Sequence, residues 1–444
     1  MIDSRNNKLR EFVFDKKTRN ICRLEEEKYK NTFTRDRKIP VPDLLLMTFN
    51  KQGKTTSFEI RDYELKKGEK RVDYTDEAYL KQRRLLNPKV FKEANKVYLT
   101  EFYNSDEVKT NKGYIQLAID GSKGEVPNTP QNKEYFGYQK TKSETNRARA
   151  MFSGIYDVDN HFYLDMEVDK YSCDEVDIAK RNIEETLKIL ANHKLIITFD
   201  RNYPSFEFLD WLIKKKVKFL MRMASYIFKD EKKEMKTDDE YVDIKHTKMR
   251  SYHIKKKNSK YYEEFIKQNS TKVRFTKVKL NQEAEEYLVS NLSMDEFNSK
   301  ELKQIYGNRW NIETSYNSIK NKLKIESFTG NLPQFVLQDI YAQTVVYNQI
   351  QDMIYHANQK LKTKNKAKNL KHGYQINENK AIGLFKEKFI KIIISSLNNQ
   401  NKNEYDDLIN EMTRYVSIVR KGRPASPRKW NVSNKYKPNM KSSF

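Results

Sequence analysis

The chain has 444 residues, with 86 lysines and arginines against 61 aspartates and glutamates, so its formal net charge is +25 at pH 7. A hydrophobic fraction of 37% with only 12 glycines and 10 prolines excludes a low-complexity or collagen-like chain. At about 150 residues per domain, the length predicts roughly two to four structural units. The positive excess predicts a polyanionic partner, and nucleic acid is favoured because no apolar run is long enough to span a membrane.

Cysteine and histidine content limits the chemistry further. The two cysteines are too few for a disulfide scaffold and are not spaced as a zinc site. The six histidines form no tight cluster and no H-E-x-x-H pattern, so any metal is expected to be bound by oxygen. No apolar signal segment begins the sequence. We therefore expect a soluble protein of a reducing cytosol.

Residues 1–105 have the pattern of a small helical domain that contains a basic segment at 33–38. Its second half contains four further cations, Lys81, Arg83, Arg84 and Lys89. These are expected either to follow a phosphate backbone or to form an ordinary solvated helix face, and the sequence does not distinguish the two.

From about residue 110 the pattern changes to alternating and short apolar runs, which are typical of strands. Strands are predicted at 114–119, 148–156, 161–166, 195–199 and 217–221, with helices at 174–190 and 206–215. Strands that first form a meander and then alternate with helices indicate a mixed α/β sheet.

The remaining residues predict an insertion followed by helices. Residues 225–285 are basic and strand-rich, and the sheet resumes at 286–292. Helices are predicted at 299–323 and 333–361, then a loop to about 380, further helices to about 419, and a basic tail at 420–429. We assign Trp211 and Trp310 to the core rather than to base stacking.

Two acidic residues follow apolar strands at positions where α/β sheets form ligand sites. Asp120 ends the run at 115–119 and Asp200 ends the run at 195–199. Phosphodiester cleavage without histidine ligands is best served by two Mg²⁺ ions about 3.5–4 Å apart, and Mg²⁺ prefers carboxylate oxygens. If the two strands are neighbours, two metal ligands are in place.

A third acid belongs to a polar stripe on the helix predicted at 299–323. At about 100° per residue, the four stripe residues share an arc of about 60°. These are Tyr306, Arg309, Glu313 and Lys320. The stripe would suit a face turned toward metal and phosphate, with Glu313 as the ligand and the others on phosphate oxygens. An amphipathic helix with i,i+4 ion pairs explains Arg309 and Glu313 equally well.

The spacing of the stripe reproduces the Y-R-E-K signature of DDE transposases of the insertion-sequence-four type, Tyr306-x2-Arg309-x3-Glu313-x6-Lys320. The segments around Asp120 and Asp200 resemble the first and second acidic motifs of that family. The chain is identified as a member of this family by these residues.

The resemblance implies an α/β fold with a ribonuclease-H-like catalytic core, in which Asp120, Asp200 and Glu313 are the catalytic and metal-binding triad. Two Mg²⁺ ions are implied, with Mn²⁺ as a substitute. The implied activity is cut-and-paste transposition, in which hydrolysis frees a 3′-OH at each end of the element and that hydroxyl attacks the target strand. The implied partners are double-stranded DNA, as terminal inverted repeats and target, and a second copy in a homodimer, with no membrane. The implied location is the bacterial cytoplasm, in association with the nucleoid.

We accordingly predict a helical N-terminal DNA-binding domain at 1–105, a catalytic domain at 106–330 and a helical C-terminal region at 331–444. DNA contacts are expected from the stripe and from four further residues. The full set is Tyr306, Arg309, Lys320, Lys123, Asn128, Arg201 and Arg222. In some relatives a flipped base stacks on a tryptophan of the insertion, but residues 225–290 contain none, so no residue is assigned that role.

Two alternatives compete with this interpretation. One is a host-adopted or inactive relative that binds DNA without moving it, which the three intact acids disfavour. The other is a basic, non-catalytic nucleic-acid-binding protein, in which the stripe would be an ion-paired surface.

Overall fold

A computed structural model describes residues 2–35, 37–69, 71–140, 146–279, 285–366, 372–395 and 402–419, so the predicted basic tail at 420–429 lies outside the described residues. The helices are α1 (Ile2–Phe14), α2 (Thr18–Ile21), α3 (Val41–Phe49), α4 (Thr56–Lys67), α5 (Asp76–Arg83), α6 (Lys89–Tyr103), α7 (Pro130–Phe136), α8 (Glu175–Ile189), α9 (Phe206–Lys214), α10 (Lys229–Glu234), α11 (Tyr252–Lys257), α12 (Ser259–Lys267), α13 (Ser299–Asn308), α14 (Trp310–Asn317), α15 (Pro333–Asn365), α16 (Glu378–Ser395) and α17 (Lys402–Met412). The strands are β1 (Tyr114–Glu125), β2 (Tyr138–Gln139), β3 (Arg147–Asp157), β4 (Tyr163–Lys170), β5 (Lys194–Phe199), β6 (Lys218–Met223), β7 (Asp239–Lys245), β8 (Ser270–Lys279), β9 (Glu285–Ser290), β10 (Gly373–Ile376) and β11 (Val416–Val419). None of the helices in these ranges is long and apolar enough to cross a membrane.

The chain divides into two compact units, each built from separate segments. Unit 1 comprises Met1–Asp106, Gly124–Ala150 and Asn317–Phe444, and unit 2 comprises Glu107–Lys123 and Met151–Tyr316. The N-terminal and C-terminal helical regions therefore share one unit, while most of the sheet belongs to the other.

Unit 1 is organised around the 33-residue helix α15. Pro333 begins this helix, at a position where its missing N–H costs no hydrogen bond. Helices α3, α6, α16 and α17 pack against α15. Its buried surface includes several polar side chains as well as apolar ones, which is unusual unless each polar group has a partner.

Two buried aspartates of α15 bind arginines from the N-terminal helices. Asp339 pairs with Arg83 of α5, and both side chains are almost fully buried. Asp352 accepts from Arg5 of α1 at 2.7 Å and from the hydroxyl of Tyr98 at 2.6 Å. These bonds fix the N-terminal helices on α15.

Arg83 is buried, so it neither contacts a phosphate backbone nor lies on a solvated helix face, the two alternatives that the sequence left open. Its guanidinium donates to Gln338 at 2.8 Å as well as to Asp339, and the residue is 1% exposed. Arg83 cannot follow a phosphate backbone, because it holds unit 1 together. Lys81, Arg84 and Lys89 are exposed, and Lys89 pairs with Glu25.

Unit 1 also contains a two-stranded sheet that the sequence patterns did not reveal. β10 and β11 pair antiparallel, from Gly373 opposite Val419 to Ile376 opposite Val416. The region was expected to be loop at β10 and helix at β11. Both strands have only four residues, so the alternation that identifies a strand is too short to detect.

Unit 2 is built on a mixed sheet. Beginning with β4, which pairs with β3, the order is β4-β3-β1-β5-β6-β9-β8-β7. β1, β5 and β6 are parallel, whereas β9, β8 and β7 continue the sheet antiparallel beyond β6. This confirms the predicted α/β class, and the order of the first five strands in unit 2 is that of the expected ribonuclease-H-like core.

The helices of unit 2 begin at residues that favour helix starts. Asp174 caps α8, and Ser205 caps α9 by accepting from the backbone of Phe208. Asn298 and Glu301 form a capping box at α13. The apolar face of α13 packs in a cluster with strand residues of the sheet, including Tyr114, Ile196, Leu220 and Leu288.

The prediction of one continuous helix at 299–323 is wrong, because the segment is divided into three parts. α13 ends at Asn308 and α14 begins at Trp310, while residues Ser318–Lys322 form a π-helical turn. A π turn has more residues per turn than an α-helix, so a spacing of about 100° per residue does not extend to Lys320. The ammonium of Lys320 lies 3.2 Å from the carboxylate of Glu326, and both residues belong to unit 1.

We expect Asp339→Asn to destabilise unit 1 strongly. The substitution leaves Arg83 and the nearby Lys51, whose ammonium lies 3.7 Å from Asp339, as uncompensated buried charges. The expected loss in the free energy of unfolding is about 3–5 kcal/mol, measured by urea denaturation followed by circular dichroism.

The matched control is Asp406→Asn, which removes an exposed ion pair with Lys360. That pair is expected to contribute less than about 1 kcal/mol. Equal effects of the two substitutions would show that the buried pair does not hold the helices of unit 1 together.

Candidate active site

The two acids predicted at strand ends lie level with each other on neighbouring strands. β1 and β5 are parallel partners, and the last pair in their register is Ala118 opposite Thr198. Asp120 and Asp200 each come two residues after that pair. The equal offset puts both carboxylates at the same end of the sheet, as predicted for a ligand site.

Burial along the two strands explains why these acids reach the edge of the core. Residues 114–119 of β1 and 195–199 of β5 are all buried, and burial decreases at Asp120 and at Asp200. The apolar residues before each acid cover both faces of the sheet. Each aspartate is therefore the first side chain that can leave the core.

Glu313 belongs to α14 and is held by Arg309. The guanidinium of Arg309 lies 3.0 Å from the Glu313 carboxylate, and its side chain is 6% exposed against 33% for Glu313. The ring centres of Tyr306 and Trp310 lie 5.7 and 5.6 Å from the guanidinium. Arg309 is thus fixed between two aromatic rings, and it orients Glu313 in turn.

Hydrogen bonds attach α14 directly to the strand that contains Asp120. The Tyr316 hydroxyl donates to the backbone carbonyl of Asp120 at 2.8 Å and accepts from the Gly154 N–H at 2.8 Å. A Cβ at Gly154 would lie 2.6 Å from the Tyr163 ring, so only glycine fits there. Tyr163 is also hydrogen-bonded to Ser315 at 2.7 Å.

These anchoring residues were missed by the sequence analysis. Tyr316 lies three residues after Glu313 and therefore on the same face of the helix. That spacing could have indicated from the sequence that Tyr316 lies near the acids. Asn308 adds a further anchor by donating to Gln116 of β1 at 3.1 Å.

The charges of Asp200 and Glu313 both act on Asp120. The pKa of Asp120 is raised from 3.8 to about 7, chiefly by burial and further by the negative charges of Glu313 and Asp200. The Arg309 guanidinium opposes that rise. Three carboxylates and one guanidinium therefore share a single field, which ordinary i,i+4 pairing of Arg309 with Glu313 does not explain.

Comparison with known proteins decides the family. Residues 111–349, more than half of the chain, match the family described as a transposase DDE domain. The chain belongs to this family. No curated protein matches it. It is similar to the piggyBac transposase in a cryo-EM structure of a synaptic complex with hairpin DNA, with 11% identity, 95% of this chain and 87% of that chain covered, and a TM-score of 0.44.

As a DDE transposase, the chain is a metal-dependent enzyme that cleaves and transfers DNA strands. Because this is a family of enzymes, the alternative that the chain belongs to a family of non-catalytic nucleic-acid-binding proteins is excluded. The matched residues include Asp120, Asp200, Glu313 and Lys320.

The acids of the transposase fit the divalent ion that the family uses. Asp120, Asp200 and Glu313 offer only carboxylate oxygens, the donors that hard cations such as Mg²⁺ prefer. Burial raises the pKa of Asp120 and makes its charged form unfavourable, and the negative charges of Glu313 and Asp200 add to this. A divalent cation would compensate that charge.

The four further DNA-contact candidates lie in different surroundings. The ammonium of Lys123 lies 4.7 Å from the ring centre of Tyr171, and Arg201 is exposed directly after Asp200. Arg222 pairs with Glu286 at 2.6 Å and lines, with Arg201, a pocket of about 590 Å³. Asn128 lies in unit 1, where its side-chain oxygen accepts from the Ala148 N–H at 2.9 Å.

Two aromatic residues of the transposase differ in exposure. Trp310 is 54% exposed, so its assignment to the core is wrong. Tyr306 is 9% exposed, and burial raises the pKa of its hydroxyl to about 12, with Asp200 contributing to the rise. Tyr306 therefore stays protonated at neutral pH and can donate a hydrogen bond.

We expect Asp120→Asn to stabilise the metal-free transposase at alkaline pH. The carboxyl of Asp120 has a pKa of about 7 when folded and an ordinary value of 3.8. The folded state therefore binds more protons between these values, and stability falls as pH rises through that window. Asparagine avoids this loss. Melting temperatures measured in EDTA should show an advantage for the variant at pH 8 that shrinks toward pH 4.

Asp177→Asn, at a side chain that is 40% exposed in the same unit, is the control. It removes a partly exposed ion pair with Lys180 and should have no stability advantage over the wild type at pH 8. An Asp120→Asn advantage that does not grow from pH 4 to pH 8 would contradict a raised pKa at Asp120.

Proposed function

We propose that this transposase is of the insertion-sequence-four type and moves its element by cut-and-paste, using two Mg²⁺ ions that Mn²⁺ can replace. The observation that supports this most is that Asp120 and Asp200 lie at the same level on the neighbouring parallel strands β1 and β5, while the charges of Asp200 and Glu313 both act on Asp120. Acids that converge from three distant segments are the arrangement needed for two-metal cleavage of a phosphodiester.

The assignment to the insertion-sequence-four type is supported by the Y-R-E-K spacing. Tyr306, Arg309 and Glu313 lie next to one another in unit 2, and the charges of Arg309 and Asp200 both act on Tyr306. The signature residues of unit 2 are thus assembled at the acids. Lys320, the fourth signature residue, is proposed to bind phosphate.

The residues of the site have separate roles in the proposed mechanism. Bound Mg²⁺ ions supply the activation of the attacking oxygen and the stabilisation of the leaving oxygen. Asp120, Asp200 and Glu313 would hold those ions. Arg309 orients Glu313, and Tyr306 donates its hydroxyl proton in a hydrogen bond to a phosphate oxygen near the cut. Lys123, Arg201 and Arg222 bind the DNA backbone, with Asn128 as a further contact.

The same acids serve two successive reactions. In the first, water attacks the phosphodiester at each end of the element, the bond to the 3′ oxygen breaks, and a 3′-OH is released. In the second, that 3′-OH loses its proton and attacks a phosphodiester of the target strand, the bond to the target's own 3′ oxygen breaks, and the element is joined to the target's 5′ phosphate while a target 3′-OH leaves. A homodimer is proposed to hold both inverted repeats, so that the two ends react together.

End recognition is proposed to involve a basic pocket of unit 1. The pocket has a volume of about 660 Å³, and four cations line it, namely Arg19, Lys28, Arg35 and Arg37. Lys28 is paired with Glu26 at 2.6 Å. Among the described lining residues none is acidic, so the pocket attracts phosphate.

Loss of any triad acid is expected to abolish cleavage but not binding. Purified protein with Mg²⁺ should nick DNA that ends in the inverted repeat of the element. Asp120→Ala, Asp200→Ala and Glu313→Ala should each reduce the nicking rate by about a thousandfold or more, because the acids act as one unit. Gel-shift affinity should change little.

Glu185→Ala, at an acid of unit 2 that pairs with Lys188, is the control and should cut normally. Normal cutting by all three triad variants would contradict the proposal. Tight binding without any cutting by the wild type would favour an inactive relative.

We expect the double variant Arg35→Ala, Arg37→Ala to weaken DNA binding without a change in the chemistry. Each lost phosphate contact should lower the slope of log affinity against log salt by about 0.9. The double variant should therefore show a slope smaller by about 1.8, measured by fluorescence anisotropy.

Lys8→Ala with Arg71→Ala is the control of equal charge, because each of these exposed cations pairs with a neighbouring acid. An equal loss of slope in both double variants would show that only net charge matters, and that the pocket is not a binding surface.

A further inference from the structure

A fourth carboxylate lies beside the triad. Glu175 is the first residue of α8, and two hydrogen bonds position that helix. Asp174 caps the helix by accepting from the Val176 N–H at 2.8 Å. Further along, Asn182 donates to Ser153 of β3 at 2.8 Å, which fixes α8 on the sheet.

The carboxyl group of Glu175 lies beside Gly121, the residue that follows Asp120. A Cβ added at Gly121 would lie 3.6 Å from the carboxyl carbon of Glu175 and 3.8 Å from one of its oxygens. It would also lie 3.3 Å from the sulfur of Met151. The carboxyl group of Glu175 is therefore packed against the backbone adjacent to Asp120.

The charges of Glu175 and Asp200 act on each other. Burial raises the pKa of Glu175, Lys123 opposes the rise, and Asp200 adds to it. A divalent cation would further stabilise the charged form of this half-buried carboxyl.

A buried hydroxyl without a partner lies among the same acids. Tyr203 is 1% exposed, and its oxygen has no hydrogen-bond partner within the part of the chain that the structure describes. Burial raises the pKa of this hydroxyl well above its ordinary value, and the charges of Glu175, Asp120 and Asp200 each contribute. A buried donor with no partner indicates that a bound group belongs near these carboxylates.

We propose that Glu175 is a fourth carboxylate ligand of the divalent-metal centre, next to Asp120 and Asp200. The inference rests on the proposed two-metal function and adds a residue that the Y-R-E-K and aspartate motifs do not contain.

A purely structural role for Glu175 makes a different prediction. An acid in the first turn favours the helix through its dipole, and an aspartate at that position would do so equally well. A metal ligand must also reach the ion, so the shorter aspartate would keep the charge but lose the contact. Glu175→Asp therefore separates the two roles.

The test is Mn²⁺ binding to the full-length protein, measured by isothermal titration calorimetry and by electron paramagnetic resonance of the free ion. Glu175→Gln and Glu175→Asp should each weaken Mn²⁺ binding by about tenfold or more, and nicking should need correspondingly more Mn²⁺. Glu184→Gln, at an acid of the same helix that pairs with Lys215, should bind Mn²⁺ as the wild type does.

One outcome would contradict the assignment of Glu175 as a ligand, and a different outcome would contradict the proposed function. If Glu175→Asp binds Mn²⁺ within twofold of the wild type, Glu175 is not a ligand, even if Glu175→Gln fails to fold. If the wild type binds Mn²⁺ but never nicks DNA, the proposed function fails, whereas the Mn²⁺ affinities still decide whether Glu175 is a ligand.

Discussion

The parallel, in-register pairing of β1 and β5 is the constraint on which the active site depends. Because Ala118 lies opposite Thr198, an aspartate two residues further along each strand reaches the same level. A slip of one residue would turn one of the two carboxylates to the other face of the sheet. The third acid comes from a helix, and its place is set by the Tyr316 hydroxyl, which bonds to the backbone of Asp120 itself. The helix and the strand are thus positioned by one contact, so the separation of their acids is fixed by the fold rather than by a flexible loop.

Buried ion pairs position the helices of unit 1, whereas apolar side chains pack α13 against the sheet of unit 2. Asp339 and Asp352 of α15 bind arginines of α5 and α1, so segments from the two ends of the chain share one core. A buried ion pair contributes little net stability compared with an apolar pair, but a mismatched partner leaves an expensive unpaired charge. Such pairs therefore specify which helices pack on α15. The same network explains why four cations clustered in sequence near residue 85 do not form one basic face.

The sequence predicted the parts of the fold that follow from local patterns. The five strands of the core follow from short apolar runs, and the helices α8 and α9 follow from the stretches between them. The acids Asp120 and Asp200 follow from their position after buried strands. Tertiary contacts explain the errors. Arg83 looks like a surface cation until Asp339 is placed beside it, and the π turn at Ser318–Lys322 cannot be inferred from residue spacing. The roles of Gly154, Gly121 and Glu175 depend on which side chains approach them, and no periodicity encodes that.

The proposed function requires acids from distant segments to surround one divalent-metal centre. Iron-directed hydroxyl-radical cleavage tests it most directly, because Fe²⁺ with ascorbate and peroxide cuts the backbone only near the bound ion. The account predicts that Fe²⁺ cuts the protein near residues 120, 200 and 313, that excess Mg²⁺ suppresses all three cuts together, and that Asp120→Asn abolishes them. Cuts at only one of these segments, or cuts that Mg²⁺ does not suppress, would contradict it.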